Sequence, residues 1–257
     1  MIQRIEEASM NAWPALQTIL YDGWVVRFAE GYTRRANSVN PIYGSTIDVE
    51  EKLAYCHALF RHQGLKMVFK MTNNVFPPDL DQVLIDLHYS RQADSAVQAI
   101  DLSAVTLGET PVTHDSMDFE DRWFDAFVRL NDVEKHAAAF KAMVENIVQP
   151  KCFSRIEHRG RIVACGMAVL EQNMVWLFDI TVHDDFRKRG FGTQLIYSLL
   201  RWGKNHRAEK GYLQVMQENK TALSLYKKLG FKEFGRIPNG RKTITGYVAD
   251  IYMYKEL

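Results

Sequence analysis

Apolar and polar positions repeat along the chain in a way that predicts two successive blocks of alternating strands and helices. In the first block, "GWVVRFAEGYTRRANSVNP", "LKMVFKMT" and "SAVQAIDL" have the short apolar runs of strands. The first of these segments predicts two short strands around Gly31. The segments "IDVEEKLAYCHALFRHQG" and "DLDQVLIDLHY" carry apolar residues at helical spacing, and Gly64 is a stop signal for the first helix.

The second block begins with two helical patterns, "FEDRWFDAFVRLN" and "DVEKHAAAFKAMVENIVQ". Three strands follow, "KCFSRIEHR", "RIVACGMAVLEQ" and "MVWLFDITV", and the dipeptides Arg159-Gly160 and Gln172-Asn173 predict hairpin turns between them. The rest of the block predicts a long helix that starts near Phe191, the strand "YLQVMQ", the helix "KTALSLYKKLG" and two closing strands, "FKEFGRIP" and "ITGYVADIYMYKEL".

The two blocks share one order of elements, which is strand, strand, helix, strand, helix, strand. In each block a valine ends the strand before the long helix, Val39 in the first and Val182 in the second. This similarity indicates a duplicated unit, although a chance repetition of a common alternation is the alternative. The segment "GETPVTHDS" is rich in turn residues and predicts the linker, with domains at 1–108 and 109–257.

Composition and charge limit the classes of function. The chain has 257 residues, 47% of them hydrophobic, and a net charge of +1, so no global positive field points to nucleic acid or to an anionic membrane. The widely spaced cysteines (Cys56, Cys152, Cys165) show neither zinc nor disulfide spacing, and a cytoplasmic location is expected. No stretch reaches the roughly 20 apolar residues of a membrane helix. No histidine pairs with a carboxylate at ligand spacing, so no metal site is expected.

The joint between the strand ending at Val182 and the next helix has the features of a phosphate-binding turn. Gly190 and Gly192 leave room for an anion to approach the free N–H groups at the start of the helix. Positive charge comes from a run of three cations, Arg187, Lys188 and Arg189. The sequence is neither a P-loop nor a Rossmann fingerprint, because no "GK[ST]" follows and Leu195 stands where a third glycine is needed. An exposed turn with ordinary surface charge is the alternative.

A second segment, "NKTALSLYKKLGF", follows this phosphate-binding turn in the sequence, and the two segments together form a larger pattern. The pair of segments resembles the GNAT superfamily of acyl-CoA-dependent N-acyltransferases. Their first signature is matched by Arg187, Gly190 and Gly192. Their second is matched by Asn219, Ala222, Leu225, Tyr226, Gly230 and Phe231. The resemblance covers roughly Asp118 to Leu257 and departs from the family at Asp184, where proline is frequent.

The resemblance implies an α/β fold with an α+β mixed sheet. Two tandem GNAT-like domains are expected, each with a central mixed, mostly antiparallel sheet flanked by helices. The first block then resembles the degenerate N-terminal half of tandem members of the family, because it lacks the phosphate turn and has Ile85 or nearby apolar residues in place of Tyr226. We expect that this first domain does not bind CoA.

The implied reaction is acetyl transfer from acetyl-CoA to a primary amine by direct attack in a ternary complex. In the family the acid that protonates the CoA thiolate matches Tyr226, and Asp179 is the nearest carboxylate for a base. Glu171 and His183 are alternative bases. The alternative for Asp179 is a surface carboxylate without a catalytic role. The expected acetyl-CoA-binding residues are Ile180, Thr181, Val182, Arg187, Lys188, Arg189, Gly190, Phe191, Gly192, Thr193, Asn219 and Tyr226.

The partners expected from the sequence are acetyl-CoA and an unidentified amine, on a small molecule or a protein. No nucleic acid, membrane or metal is expected, and a homodimer is left open. The alternative function is a non-catalytic acyl-CoA sensor, in which the phosphate turn binds CoA but no acceptor reacts. Release of free CoA with an amine distinguishes the enzyme from the sensor. The sequence contains no motif that identifies the acceptor.

Overall fold

A computed structural model describes residues 2–234 and the backbone of residues 250–254. Contacts divide the chain into two compact units. Unit 1 contains residues 1–97, 214–219 and 233–257, and unit 2 contains residues 98–213 and 220–232. Each unit contains separate stretches of the chain, because the units are defined by contacts and not by sequence order. The domain boundary between residues 108 and 109 therefore stays a prediction. The remaining parts of the two predicted closing strands lie outside the described residues.

The elements of the first block agree with the predicted order, and an N-terminal helix and a strand precede them. They are α1 (Ile2–Ala12), β1 (Gln17–Tyr21), β2 (Trp24–Phe28), β3 (Ser38–Pro41), α2 (Val49–His62), β4 (Val68–Met71), α3 (Leu80–Asp86) and β5 (Ser90–Asp101). Neither α1 nor β1 was predicted from the sequence. Gly64, the predicted stop signal, follows α2 with a φ of +64°.

The elements of the second block follow their predicted order closely. They are β6 (Thr113–Ser116), α4 (Asp121–Asn131), α5 (Ala137–Glu145), β7 (Lys151–His158), β8 (Arg161–Glu171), β9 (Met174–Val182), α6 (Phe191–Asn205), β10 (Lys210–Met216), α7 (Lys220–Lys228), β11 (Lys232–Glu233) and β12 (Asp250–Tyr254). Both predicted hairpin turns are present. Arg159 and Gly160 have φ values of 51° and 77°, as a tight two-residue turn requires, and Gln172 has a φ of 56°.

Each unit has a mixed sheet, which confirms the predicted fold class. In unit 1 the strand order is β1-β2-β3-β4-β12-β5, with β3 parallel to β4 and the other neighbours antiparallel. In unit 2 the order is β10-β9-β8-β7-β6, with β10 parallel to β9 and the other neighbours antiparallel. The parallel pair is in each case joined through the long helix, α2 or α6.

Apolar faces of the helices pack on both sheets. In unit 1 a buried cluster joins β2, α2, β4 and α3 through residues such as Val26, Phe60, Phe69 and Leu84. In unit 2 Leu195 of α6 packs against β7 and β8, and α4 and α5 contribute stacked rings, with Phe127 and Phe140 only 4.1 Å apart. The sheet and the apolar face of α6 thus fix the direction in which this helix begins.

The predicted linker differs from expectation, because part of it is the strand β6. Thr113 to Ser116 pair antiparallel with β7, and the Ser198 hydroxyl of α6 donates to Asp115 Oδ2 at 2.5 Å. Arg201 of α6 also donates to the carbonyl of Gly108. These long-range bonds order a polar segment that has no strand periodicity of its own.

Candidate active site

The predicted phosphate turn joins β9 to α6 within unit 2. After Val182 the chain makes a short 3₁₀ turn over Asp184–Phe186, and α6 begins at Phe191, the residue predicted from the sequence. Gly190 is the N-cap residue, with φ 81° and ψ 0°, a left-handed conformation that favours glycine. It offers no capping side chain, and the first turn of α6 contains no acidic residue. The first N–H groups of the helix are therefore left for a partner from outside the helix.

A cleft of about 700 Å³ opens at this helix start. This is within the volume range of sites that hold small molecules and cofactors. One wall is formed by the phosphate turn and the start of α6, and the other by α7. The lining residues are Val182, Phe186, Lys188, Gly190, Phe191, Gly192, Thr193, Lys220, Thr221, Ser224, Leu225 and Lys228.

The positive charge that lines the cleft comes from one of the three predicted cations, Lys188, and from two lysines of α7. Lys188 lines the cleft, but the Arg187 guanidinium lies 2.6 Å from Asp184 Oδ1 and the Arg189 guanidinium 5.0 Å from the Phe186 ring centroid. Two further lysines come from α7, Lys220 and Lys228. Among the described residues that line the cleft there is no aspartate or glutamate, so its charge is positive.

Four polar residues of α7 that line the cleft were not predicted from the sequence as site residues. Lys220, Ser224 and Lys228 recur at intervals of four residues, and Thr221 is three residues before Ser224, which places all four on one side of a helix. This spacing was visible in the sequence. What it could not reveal is that this side of α7 lies opposite the start of α6.

The strand β9 is interrupted by a β-bulge at Asp179, the predicted base. Met167 pairs with Phe178 and Cys165 with Thr181, so Gly166 faces two residues, Asp179 and Ile180. Asp179 has a φ of 55°, and the half-buried residue lies near the fully buried Cys165. Burial and the negative charge of Asp179 both raise the pKa of the Cys165 thiol.

The bulge depends on a glycine in the neighbouring strand. A Cβ atom placed on Gly166 would lie 2.5 Å from Ile180 Cδ1, so any larger residue would displace the Ile180 side chain. The register between β9 and β10 ends at Trp176 and Tyr212. Within the described residues, β9 therefore continues to Val182 with β8 as its paired neighbour.

The remaining predicted site residues lie around this centre. Ile180 and Thr181 are half-buried on β9. Tyr226 lies on α7, half-buried, with its ring 5.8 Å from that of Phe231, and it is not among the described residues that line the cleft. Asn219 is exposed and directly precedes α7, but it belongs to unit 1. The structure thus gathers Val182, Lys188, Gly190, Phe191, Gly192 and Thr193 around one cleft.

The described residues contain no group of three or more histidine, cysteine, aspartate or glutamate residues that could hold a metal ion. None of the helices in residues 2–234 is long and apolar enough to cross a membrane.

Comparison with known proteins identifies the family. Residues 1–237 match the family model described as "Probable histone acetyltransferase Rv0428c C-terminal". The chain is 31% identical over 242 residues to the uncharacterized N-acetyltransferase YobR of Bacillus subtilis. This match covers 90% of this chain and 94% of that protein.

Solved structures share the fold. A GCN5-related N-acetyltransferase from Kribbella flavida superimposes with a TM-score of 0.68 at 12% identity, over 98% of this chain and 94% of that one. A tandem GNAT protein from the clavulanic acid biosynthesis pathway gives a TM-score of 0.61 at 11% identity, over 85% and 74%. With the family model and the sequence relative, these findings do not favour a non-catalytic sensor. The chain therefore belongs to the Rv0428c C-terminal acetyltransferase family of the GNAT superfamily and is an acetyl-CoA-dependent N-acetyltransferase, and its fold is similar to that of a tandem GNAT protein.

Proposed function

We propose that unit 2 binds acetyl-CoA in the cleft between the start of α6 and α7, and transfers the acetyl group directly to a primary amine in a ternary complex. The observation that carries this proposal is the uncapped start of α6. Its N-cap, Gly190, is left-handed and opens into a cleft whose charged lining residues are the lysines Lys188, Lys220 and Lys228.

The chemistry of CoA fits this set of groups. Its diphosphate and its 3′-phosphate are anionic, and the free N–H groups and the dipole of a helix start favour anions. A Cβ on Gly192 would lie 3.3 Å from Leu225 Cδ2, so Gly192 occupies the narrow part of the cleft. The side chains of Thr193, Thr221 and Ser224 add hydroxyl groups to the lining.

The amine acceptor must lose a proton, because a lysine-like amine has a pKa of about 10.4 and attacks only as the neutral form. Asp179 is the base that we propose, because this half-buried residue lies in the β-bulge of β9, directly before the segment from Ile180 to Val182. Glu171 pairs with Met174 at the opposite end of β9 and accepts a hydrogen bond from Gln149 at 2.8 Å. His183 Nδ1 accepts from the backbone N–H of Asp185 at 3.3 Å, so it serves the turn.

In the transfer a bond forms between the amine nitrogen and the acetyl carbon, and the carbon–sulfur bond breaks. Backbone N–H groups of β9 between Ile180 and Val182 stabilise the oxyanion, because the parallel register with β10 ends before them. Tyr226 donates the proton that the departing thiolate takes up.

Direct attack is supported over a covalent acyl-enzyme by the state of the cysteines. Cys56, Cys152 and Cys165 are buried free thiols. Burial raises the pKa of Cys56 and of Cys152 to about 12 and also raises that of Cys165. Such thiols are poor nucleophiles at neutral pH. A thioester on one of these side chains is therefore not a favoured intermediate.

Initial-rate kinetics tests direct attack. Release of free CoA is measured while acetyl-CoA and an amine are varied together, after a screen of small amines and of peptides. The screen includes a histone peptide because the family description names a histone acetyltransferase. Intersecting double-reciprocal lines are expected for a ternary complex. Parallel lines, with an acetylated protein trapped without acceptor, would overturn direct attack.

Calorimetry tests the site. One CoA per chain is expected, because unit 1 lacks the phosphate turn. Two equivalent sites would contradict this part of the proposal.

A further inference from the structure

Unit 1 contains a cavity of about 250 Å³ that shares no lining residue with the cleft at the start of α6. It lies where the chain between β2 and β3 meets the residues just before β4. Its walls include Gly31, Thr33, Arg34, Asn37, Leu65 and Lys66. Because Asn37 directly precedes β3 and Lys66 precedes β4, the cavity is at the starting ends of these parallel strands. The acetyl-CoA cleft, by contrast, follows the end of β9.

The loop that forms this cavity is held by the side chain of one buried residue. Asn37 Oδ1 accepts hydrogen bonds from the backbone N–H groups of Ala29 (2.8 Å) and Gly31 (3.0 Å). Its Nδ2 donates to the carbonyls of Tyr32 (2.7 Å) and Thr33 (2.8 Å). The amide thus uses both of its polar atoms twice on the backbone of a single loop, which fixes the shape of that loop.

A second buried side chain holds the loop from the other side. Arg27 is only 3% exposed, and its guanidinium donates to the carbonyl of Arg35 at 2.7 Å and to the carbonyl of Trp13. The position of the segment 29–37 is therefore fixed before any ligand arrives. This is the kind of preorganisation that a binding site requires.

The same loop keeps residues in costly backbone conformations. Glu30 and Gly31 have φ values of 50° and 77°. Thr33 has φ 57° and ψ 136°, a combination that a β-branched residue rarely adopts. Strain of this kind persists only where surrounding contacts impose it, and it concentrates at ligand sites. Here it sets Thr33 and Arg34 side by side on the wall of the cavity.

The charged groups of the wall are both positive. Arg34 and Lys66 line the cavity, and no aspartate or glutamate is among the described residues that do so. Arg34 Nη2 donates to Gln92 Oε1 at 3.3 Å, which restrains the guanidinium. An arginine fork and a lysine on one small cavity match the oxygens of a phosphate or a carboxylate.

We propose that this cavity binds the oxyanion group of a small ligand, a phosphate monoester or a carboxylate, as a second site separate from the acetyl-CoA cleft. Its volume is about a third of that of the cleft, which suits a small anion rather than a whole CoA molecule. The site gives the N-terminal unit a ligand of its own, although that unit lacks the phosphate turn.

The test uses the full chain with its acetyl-CoA cleft saturated with CoA, so that added anions cannot act there. Inorganic phosphate and, separately, succinate are titrated by calorimetry at constant ionic strength. The two arms distinguish the phosphate from the carboxylate class. Saturable binding of at least one of them is expected, and Arg34→Gln and Lys66→Gln should each weaken it at least about tenfold, since each removes a charge-assisted hydrogen bond.

The matched control is Lys135→Gln, which removes the same charge from an exposed lysine in unit 2. This variant should bind the anion as the unchanged protein does. Thermal unfolding verifies that each variant is folded. The proposal is overturned if neither anion saturates, or if the Arg34, Lys66 and Lys135 variants all bind equally.

Discussion

The starts of the two long helices, α2 in unit 1 and α6 in unit 2, occupy equivalent positions but have opposite chemistry. The first intrahelical bonds have the same register, from Lys52 N–H to the Asp48 carbonyl and from Gln194 N–H to the Gly190 carbonyl. Asp48 therefore corresponds to Gly190. Its carboxylate caps α2 by accepting from the N–H of Glu50 at 2.8 Å, whereas Gly190 offers no side chain.

The next positions extend this contrast. In α2 the first turn carries Glu50 and Glu51, and the corresponding residues of α6 are Gly192 and Thr193. Negative side chains near a helix start stabilise it through the helix dipole. The start of α2 thus contains the negative charge that the start of α6 lacks.

A hairpin turn supplies a further anion in unit 1. Asp22 and Gly23 join β1 to β2 with φ values of 41° and 81°, and the Asp22 carboxylate accepts from the N–H groups of Thr46 and Ile47, both at 2.8 Å. Lys52 Nζ lies 3.2 Å from the same carboxylate. This places a carboxylate of the chain in the turn that corresponds to the phosphate turn of unit 2.

The equivalent hairpin in unit 2 has the opposite charge. Arg159 and Gly160 join β7 to β8 with nearly the same φ values, 51° and 77°. The adjacent His158 ring lies 5.0 Å from Phe186, a residue of the cleft. The free N–H groups and the dipole favour an anion at both helix starts. Unit 1 places its own carboxylates there, and in the proposed function the phosphates of CoA take this place in unit 2.

The largest effect is expected at Tyr226 of α7, in whose place the helix α3 of unit 1 has Ile85 or nearby apolar residues. If Tyr226 protonates the thiolate, Tyr226→Phe should lower the single-turnover rate by about 10² to 10⁴ with CoA affinity little changed. If Tyr226 only packs, the substitution removes its hydroxyl group and lowers the free energy of unfolding by about 1 kcal/mol. A folded variant that reacts as fast as the unchanged protein would remove the catalytic role.

Gly192→Glu turns one position of α6 into its unit 1 counterpart, Glu50. We expect CoA to bind at least about 100-fold more weakly, since a carboxylate beside the phosphates costs several kcal/mol. Gly192→Gln is the matched control of equal size and should lose much less. Calorimetry measures both, and a folded Gly192→Glu protein with unchanged CoA affinity would mean that the phosphates bind elsewhere.

A smaller effect is expected at the hairpin of unit 2. Arg159→Asp gives this turn the charge sign of Asp22 and should weaken CoA binding by about two- to tenfold, the size expected for an exposed charge. The loss should shrink as salt rises. Lys135→Asp makes the same charge reversal away from the cleft. If the two variants bind CoA with equal Kd values, the charge of the hairpin does not contribute to CoA binding.

Asp22→Asn is expected to leave acetyl-CoA turnover unchanged and to alter only stability. Backbone N–H donation, first from Ile47, lowers the pKa of Asp22 from 3.8 to about 2. A lowered carboxyl pKa stabilises the folded state above about pH 4, and this stabilisation is lost as the pH falls toward 2. The Tm difference between the unchanged protein and Asp22→Asn should therefore be full at neutral pH and disappear in that acidic window. A constant difference would contradict an ionised Asp22.

Most of the fold could be predicted because local patterns of apolar and polar residues indicate its helices and strands. Strand β9 has the predicted bounds, Met174–Val182, since a continuous apolar run ends at a charged turn. The helix α1 was not predicted, although its buried residues Ile5, Ala8, Ser9 and Ala12 follow helical spacing. The strand β6 carries no such signal, because its residues become a strand only through pairing with β7.

By itself the sequence determined the glycines of the phosphate turn, the start of α6 at Phe191 and the family to which the chain belongs, because these depend on residue types at short spacing. Only the tertiary structure decided which cations line the cleft. Lys220 and Lys228 are about 30 residues or more beyond Lys188 and come close to it through the packing of α7, while Arg187 is drawn to Asp184. Likewise, only the fold brings the hairpin residues Asp22 and Gly23 to the turn before α2. There the Asp22 carboxylate accepts from the N–H of Ile47, and the Gly23 carbonyl accepts from the N–H of Tyr43. Charges distant in sequence act on one another only where the fold brings them together.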